Sequence, residues 1–193
     1  MTPDHDAPDA YSVRNALFER PVTWRLQPAR LRIDAGMKQP IHLDYADIVA
    51  MRLIYDPKRT EWNRQRCTIT VRTGERFSIA SVTYLDVIRI APQTAAYAGF
   101  VRALARRIAA ANPACRFVAG KPAWLYGLML AAPIPLLGLP LAWLSTLGVK
   151  GRDFLFYAGV LLVIAGLPWL YTLFRHKPRS FDPRAIADDM LPR

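Results

Sequence analysis

Two long stretches in the last third of the chain carry no charge, and they constrain the fold more than anything else. Residues 122–144 read PAWLYGLMLAAPIPLLGLPLAWL, and residues 154–174 read FLFYAGVLLVIAGLPWLYTLF. A bilayer core about 30 Å thick is crossed by roughly 20 helical residues. Soluble helices of that length carry a polar stripe, and these carry none. The sequence therefore predicts two membrane spans, about 122–144 and 154–174. Trp124, Tyr126 and Trp143 flank the first run, and Trp169 and Tyr171 close the second. Aromatics at both ends suit the membrane–water interface, so these five are the expected interface anchors. Pro133, Pro135 and Pro140 interrupt the first run. Each removes a backbone donor, so a kinked or broken helix is expected, with a neighbouring helix re-satisfying the freed groups.

Nine residues, 145–153, connect the runs, which makes a hairpin with both chain ends on one side. Arg106, Arg107, Arg116 and Lys121 precede it, and Arg175, His176, Lys177, Arg179 and Arg184 follow it. Positive residues stay cytoplasmic. Lys121, Arg175 and Lys177 thus act as orientation charges, and both termini of a multi-pass protein of the inner (cytoplasmic) membrane are expected in the cytoplasm. No apolar stretch lies near the N-terminus, so a cleaved leader is not expected. Cys67 and Cys115 then face a reducing compartment and no disulfide is expected.

Composition sharpens this picture. The chain has 193 residues, a formal net charge of +11 and 52% hydrophobic residues. The two properties are segregated. Residues 1–121 carry +8, residues 175–193 carry +2, and the connector carries the remaining +1. The basic balance thus reads mainly as membrane orientation. With no exposed aromatic stripe to stack bases, no nucleic-acid partner is expected.

Residues 1–20 are polar and aperiodic and read as a flexible tail. From Val22 short alternating runs begin. Trp24 to Leu26, Arg30 to Ile33, a KQPIHL strand, Ile48 to Asp56, Arg64 to Arg72, Glu75 to Ser81 and Leu85 to Ile90 make about seven antiparallel strands. Thr73-Gly74 marks a tight hairpin. The period then changes: Tyr97, Phe100, Val101, Leu104 and Ile108 share a helical face, which Asn112-Pro113 ends. This is an α+β pattern, a small bent β-barrel whose open end an amphipathic helix plugs. The expected organisation is a tail at 1–20, a cytoplasmic domain at 21–118, a transmembrane hairpin at 119–175 and a cytoplasmic tail at 176–193.

The stretches IHLDYADIVAMRL (41–53), CTITVRTGERFSI (67–79) and YAGFVRALARRIAAANP (97–113) resemble a bacterial pleckstrin-homology-like (PH-like) domain. With the apolar runs and the ending FDPRAIADDMLP (181–192), the chain is similar to small bacterial membrane proteins that join such a domain to a two-helix hairpin. The resemblance implies a PH-like barrel at the membrane and no reaction.

Motifs for catalysis are missing from the sequence: HExxH, CxxC, GxSxG, GxGxxG and Walker A do not occur. No catalytic residue, cofactor or metal site is expected. Cys67 and Cys115 read as packed thiols. Arg25, Arg30, Arg32, Arg52, Arg64, Arg66, Arg72 and Arg76 fall opposite the apolar positions of their strands. PH-like resemblance implies that basic residues around the first hairpin contact anionic headgroups. Arg25, Arg30, Arg32, Lys58, Arg59, Arg64 and Arg66 are the candidates, since the guanidinium fork suits phosphate. The expected function is a non-enzymatic binding or scaffold domain at the inner leaflet, engaging membrane lipids or a protein partner. The alternative is an accessory or assembly subunit of a larger membrane complex.

Overall fold

The computed structural model describes residues 9–14, 20–36, 39–57, 63–85, 90–148 and 151–192. They form two compact units. One joins the first 119 residues to residues 179–193, and the other is the intervening segment 120–178.

The first unit is α+β. Strands β1 (Ala10–Val13), β2 (Val22–Leu26), β3 (Arg30–Asp34) and β4 (Ile41–Asp44) form one antiparallel sheet in sequence order. A single 3-10 turn, Tyr45–Asp47, passes the chain to β5 (Ile48–Tyr55). The second sheet contains β5, β6 (Gln65–Val71), β7 (Arg76–Ala80), β10 (Arg116–Ala119) and β11 (Arg179–Ser180), in the order β11-β10-β5-β6-β7. Strands β8 (Val82–Tyr84) and β9 (Ile90–Pro92) form a two-stranded sheet among the described residues.

Alternation places the core. Along β6, Cys67, Ile69 and Val71 are buried, while Arg66, Thr68 and Thr70 are half-buried on the opposite face. Gly74 adopts φ +90° in the β6–β7 turn, a conformation that glycine takes without a Cβ penalty. Helix α1 (Thr94–Ala111) lays Tyr97, Phe100, Val101, Leu104 and Ile108 into the same core. It ends at Asn112, whose side-chain amide donates to the carbonyls of Ala46 and Ile48 at 3.2 and 2.9 Å. The helix is thereby tied to the turn that links the two sheets.

Three features differ from the sequence expectation. Among the described residues the strands do not close into a barrel. Closure would need β5 to pair with β4, but that edge of β5 is taken by β10, which pairs with it in parallel. The segment 1–20 is not all tail. Tyr11 and Val13 of β1 are buried, and the Tyr11 hydroxyl donates to the Ala80 carbonyl at 2.6 Å. The ending is no free tail either. β11 extends the second sheet, Phe181 meets Phe117 edge-on at 5.7 Å, and Ile186 and Leu191 are buried in the domain core. A further strand expected at 85–90 lies partly outside the described residues. Leu85 is exposed and the strands fall on either side, at β8 and β9.

Helix α1 holds both terminal segments. Arg107 donates to Asp9 at 2.8 Å and to the Gln27 carbonyl at 2.8 Å, beside β1. Arg102 pairs with Asp188 on the ending. Arg179 closes the ending on itself by pairing with Asp189 at 2.6 Å.

The second unit is helical. The first apolar run forms α2 (Ala123–Ala131) and α3 (Pro133–Thr146), separated at Ala132. Ala132 keeps helical dihedrals, φ −56° and ψ −36°, and its N–H still donates to the Leu128 carbonyl at 3.0 Å, so the chain keeps its helical course there. The second run is one helix, α4 (Gly151–His176), long and apolar enough to cross a membrane. It contains a π-helical segment, Leu162–Gly166, just ahead of Pro168. A wider turn there accommodates the donor that the proline lacks. α2 packs against the last part of α4 and α3 against its first part, so the two runs lie antiparallel.

Candidate functional site

The residues expected at an anionic surface separate into different environments. Arg25 and Arg30 are exposed on the first sheet, and Arg32 is half-buried. Register places Arg25 opposite Arg32, and Arg32 opposite His42, so this sheet presents a basic row across three strands. Asp34 tempers it by pairing with Arg32 at 3.0 Å, and Asp44 lies opposite Arg30. Arg64 departs from the alternation. It precedes β6, is only 3% exposed, and lies with Nε 3.8 Å from Asp56. Arg66 binds the same carboxylate at 2.6 Å. These two guanidinium groups are therefore engaged by Asp56, and Arg64 is withdrawn from the surface. Lys58 and Arg59 lie outside the described residues.

Strand pairing assembles a second basic face that the linear pattern does not reveal. On the outer side of the second sheet one cross-strand row reads Arg116, Ala50, Thr70, Arg76. The next row reads Val118, Arg52, Thr68, Ser78. Three arginines thus frame a floor of small and hydroxylated side chains. Arg76 and Arg116 are exposed, and Arg52 is half-buried. The Thr68 and Ser78 hydroxyls are 3.5 Å apart. Burial, together with the guanidinium groups of Arg116 and Arg76, holds the pKa of Arg52 below its ordinary value. Arg52 and Arg76 stand out in the sequence as outward residues, but Arg116 reads there as a flanking charge. Only the parallel β10–β5 pairing brings it beside them.

The cysteines are packed thiols. Cys67 is fully buried, and burial pushes its pKa up to about 12. Burial pushes Cys115 up to about 11, against smaller lowering effects of a Met51 backbone hydrogen bond and Arg116. Neither is poised as a thiolate nucleophile. Among the described residues no three His, Cys, Asp or Glu side chains gather as a metal site.

In the helical unit, Trp124, Trp143 and Tyr171 are exposed and Tyr126 is half-buried. Trp169 has a more specific position. Pro133 has no N–H, so the Met129 carbonyl lacks its partner four residues on. The Trp169 indole N–H donates to that carbonyl at 3.1 Å. Near the end of α4, Arg175 Nε donates to the Tyr171 hydroxyl at 3.2 Å, and its guanidinium lies 5.7 Å from the ring centre. Lys121 donates its backbone N–H to the His176 carbonyl at 3.1 Å, and Lys177 is exposed. The chain thus enters and leaves this unit at one place.

Comparison with known proteins returns no matching family model, no curated relative and no similar solved structure.

Proposed function

We propose that this protein is a non-enzymatic binding protein of the bacterial inner membrane. In this reading a PH-like domain sits on the cytoplasmic face and engages membrane lipids or a protein partner. A two-helix transmembrane hairpin, α2–α3 and α4, anchors it with both termini cytoplasmic. One observation carries the anchoring. Apart from Leu85, every exposed large hydrophobic among the described residues lies between Trp124 and Phe174. A contiguous apolar surface of that extent marks a site that lipid or a partner covers. Three facts support the rest. α4 passes the length and hydropathy test for a span. The two runs lie antiparallel, and both flanks, β10 and β11, pair in the same sheet. Antiparallel strands followed by the amphipathic helix α1 agree with the order that the PH-like resemblance implies.

The test is membrane extraction together with C-terminal reporters. The full chain should resist alkaline carbonate and dissolve in detergent. A fluorescent protein fused after Arg193 should fluoresce, and alkaline phosphatase in its place should be inactive. Release by carbonate would sink the anchor, and an active phosphatase would sink the hairpin orientation.

One observation favours a second reading, an accessory subunit of a larger membrane complex. Trp169 meets the carbonyl that Pro133 frees, but Pro135 and Pro140 free two more, those of Ala131 at the end of α2 and Leu136 in α3. Leu139 and Trp143 on that helix are 69% and 64% exposed. Another membrane helix would cover them. Co-purification of a defined membrane protein from lipid nanodiscs would select this reading over the first.

A further inference from the structure

The outer face of the β10-β5-β6-β7 sheet brings guanidinium and hydroxyl donors together. Neighbouring strands lie ~4.8 Å apart, which puts Arg116 and Arg76 about 14 Å from each other at the two ends of their row. Arg52 projects from the adjacent row between them. Between them the sheet carries Ala50, Thr70, Thr68 and Ser78, whose short side chains leave room above it. Arg76 and Arg116 have no carboxylate partner among the described residues, unlike Arg32, Arg64, Arg66, Arg102, Arg107 and Arg179. Arg76 and Arg116 set like charge beside the half-buried Arg52, which is destabilising, and an anion between the two exposed guanidinium groups offsets it.

We propose that this face binds a phosphate group, as the free dianion or as a phosphomonoester carried by a lipid headgroup. Phosphate fits better than a carboxylate because of oxygen count. Three terminal oxygens take guanidinium forks at the rim and hydroxyl donors from the floor at once, with more acceptor sites and more negative charge than the two oxygens of a carboxylate offer. Of Thr68 and Ser78, one donates to the other, and the acceptor keeps its own proton for the ligand. The site is separate from the basic row Arg25–Arg32–His42 on the other sheet, and it does not depend on the anchoring reading.

The test uses the full chain in neutral maltoside micelles at low salt, titrated calorimetrically with inorganic phosphate and with glycerol 3-phosphate. Saturable binding is expected. Arg76→Gln and Arg116→Gln should each weaken it by about tenfold, the size of one charge-assisted hydrogen bond. Both residues are exposed, so the fold should survive, as circular dichroism would show. Thr68→Val and Thr70→Val test the floor without altering charge and should also weaken binding. Arg30→Gln, on the other sheet, should leave it unchanged. Nanodiscs then separate the sources. If phosphatidic acid in the disc competes away soluble phosphate, and phosphatidylcholine alone does not, the ligand is lipid-borne. Equal uptake in both discs identifies free phosphate. Absence of saturable binding, or a loss as large in Arg30→Gln as in Arg76→Gln, would overturn the proposal.

Discussion

Gly120 stands where the chain passes from β10 into the helical unit, and its φ of +83° is one that an L side chain resists. A Cβ there would also meet the backbone carbonyl oxygens of His176, at 2.7 Å, and Lys177. Backbone cannot move aside as a flexible side chain can. Gly120→Ala should therefore destabilise the protein by about 2 kcal/mol or more, read as a lowered Tm in detergent. The thiols give a pH prediction at the same scale. Burial raises the pKa of Cys67 from 9.0 to about 12 and of Cys115 to about 11. The folded state thus holds these protons more tightly than the unfolded state does. Their contribution is complete below pH 9 and is lost as pH rises through the folded values. Tyr11 and Tyr97, also raised by burial, steepen the same alkaline slope. Denaturation midpoints should be flat below pH 9 as far as these groups contribute, and should fall above it, with a shallower fall in Cys67→Val. Maleimide at neutral pH should label neither thiol until the chain unfolds. The residue types alone suggest packed cysteines. The demand for glycine at 120 is invisible in sequence, because the obstructing carbonyls lie more than fifty residues away.

Helices α2, α3 and α4 show how an element adapts to its own prolines. The broken first run is legible from Pro133, Pro135 and Pro140, since a ring in place of an N–H leaves a carbonyl without its partner. The identity of the substitute donor is not legible. Trp169 reads from sequence as an interface anchor near the end of the second run, yet its indole N–H is spent on the Met129 carbonyl. Trp169→Phe keeps the ring and removes the donor. It should cost roughly 0.6–1.7 kcal/mol, the range for a hydrogen bond between membrane helices. Pro133→Ala restores the intrahelical donor, so Trp169→Phe should cost almost nothing in that background. A double-mutant cycle on unfolding in mixed micelles checks this. An unchanged cost would show that the indole packs there for its surface alone.

Across the whole molecule, the globular unit is built from two separated pieces of chain. Residues 179–192 complete it through β11, the Phe117–Phe181 contact, buried Ile186 and Leu191, and the Arg102–Asp188 pair. Phe181→Ala should destabilise this unit by about 3–5 kcal/mol, as loss of a buried aromatic does. Arg102→Ala, breaking an exposed pair, should cost at most about 1 kcal/mol. Tryptophan-monitored denaturation of the full-length variants would rank the two, and an effect of Arg102→Ala equal to that of Phe181→Ala would show that charge, not burial, fastens the ending. Ending the chain at Pro178 should leave a domain that unfolds at markedly lower denaturant. The sequence by itself determined the segregation of charge from apolar runs, the helix between Thr94 and Ala111, and the central strands. Each rests on periodicity, charge or proline chemistry that neighbouring residues carry. Tertiary structure alone decided that the sheets stay open, that Ala10–Val13 and Arg179–Ser180 become strands, and that Arg116 joins Arg52 and Arg76 on one face. Strands of four and two residues have no pattern of their own to read. Their hydrogen bonds and burial come entirely from partners remote in sequence, and so does the grouping of the three arginines.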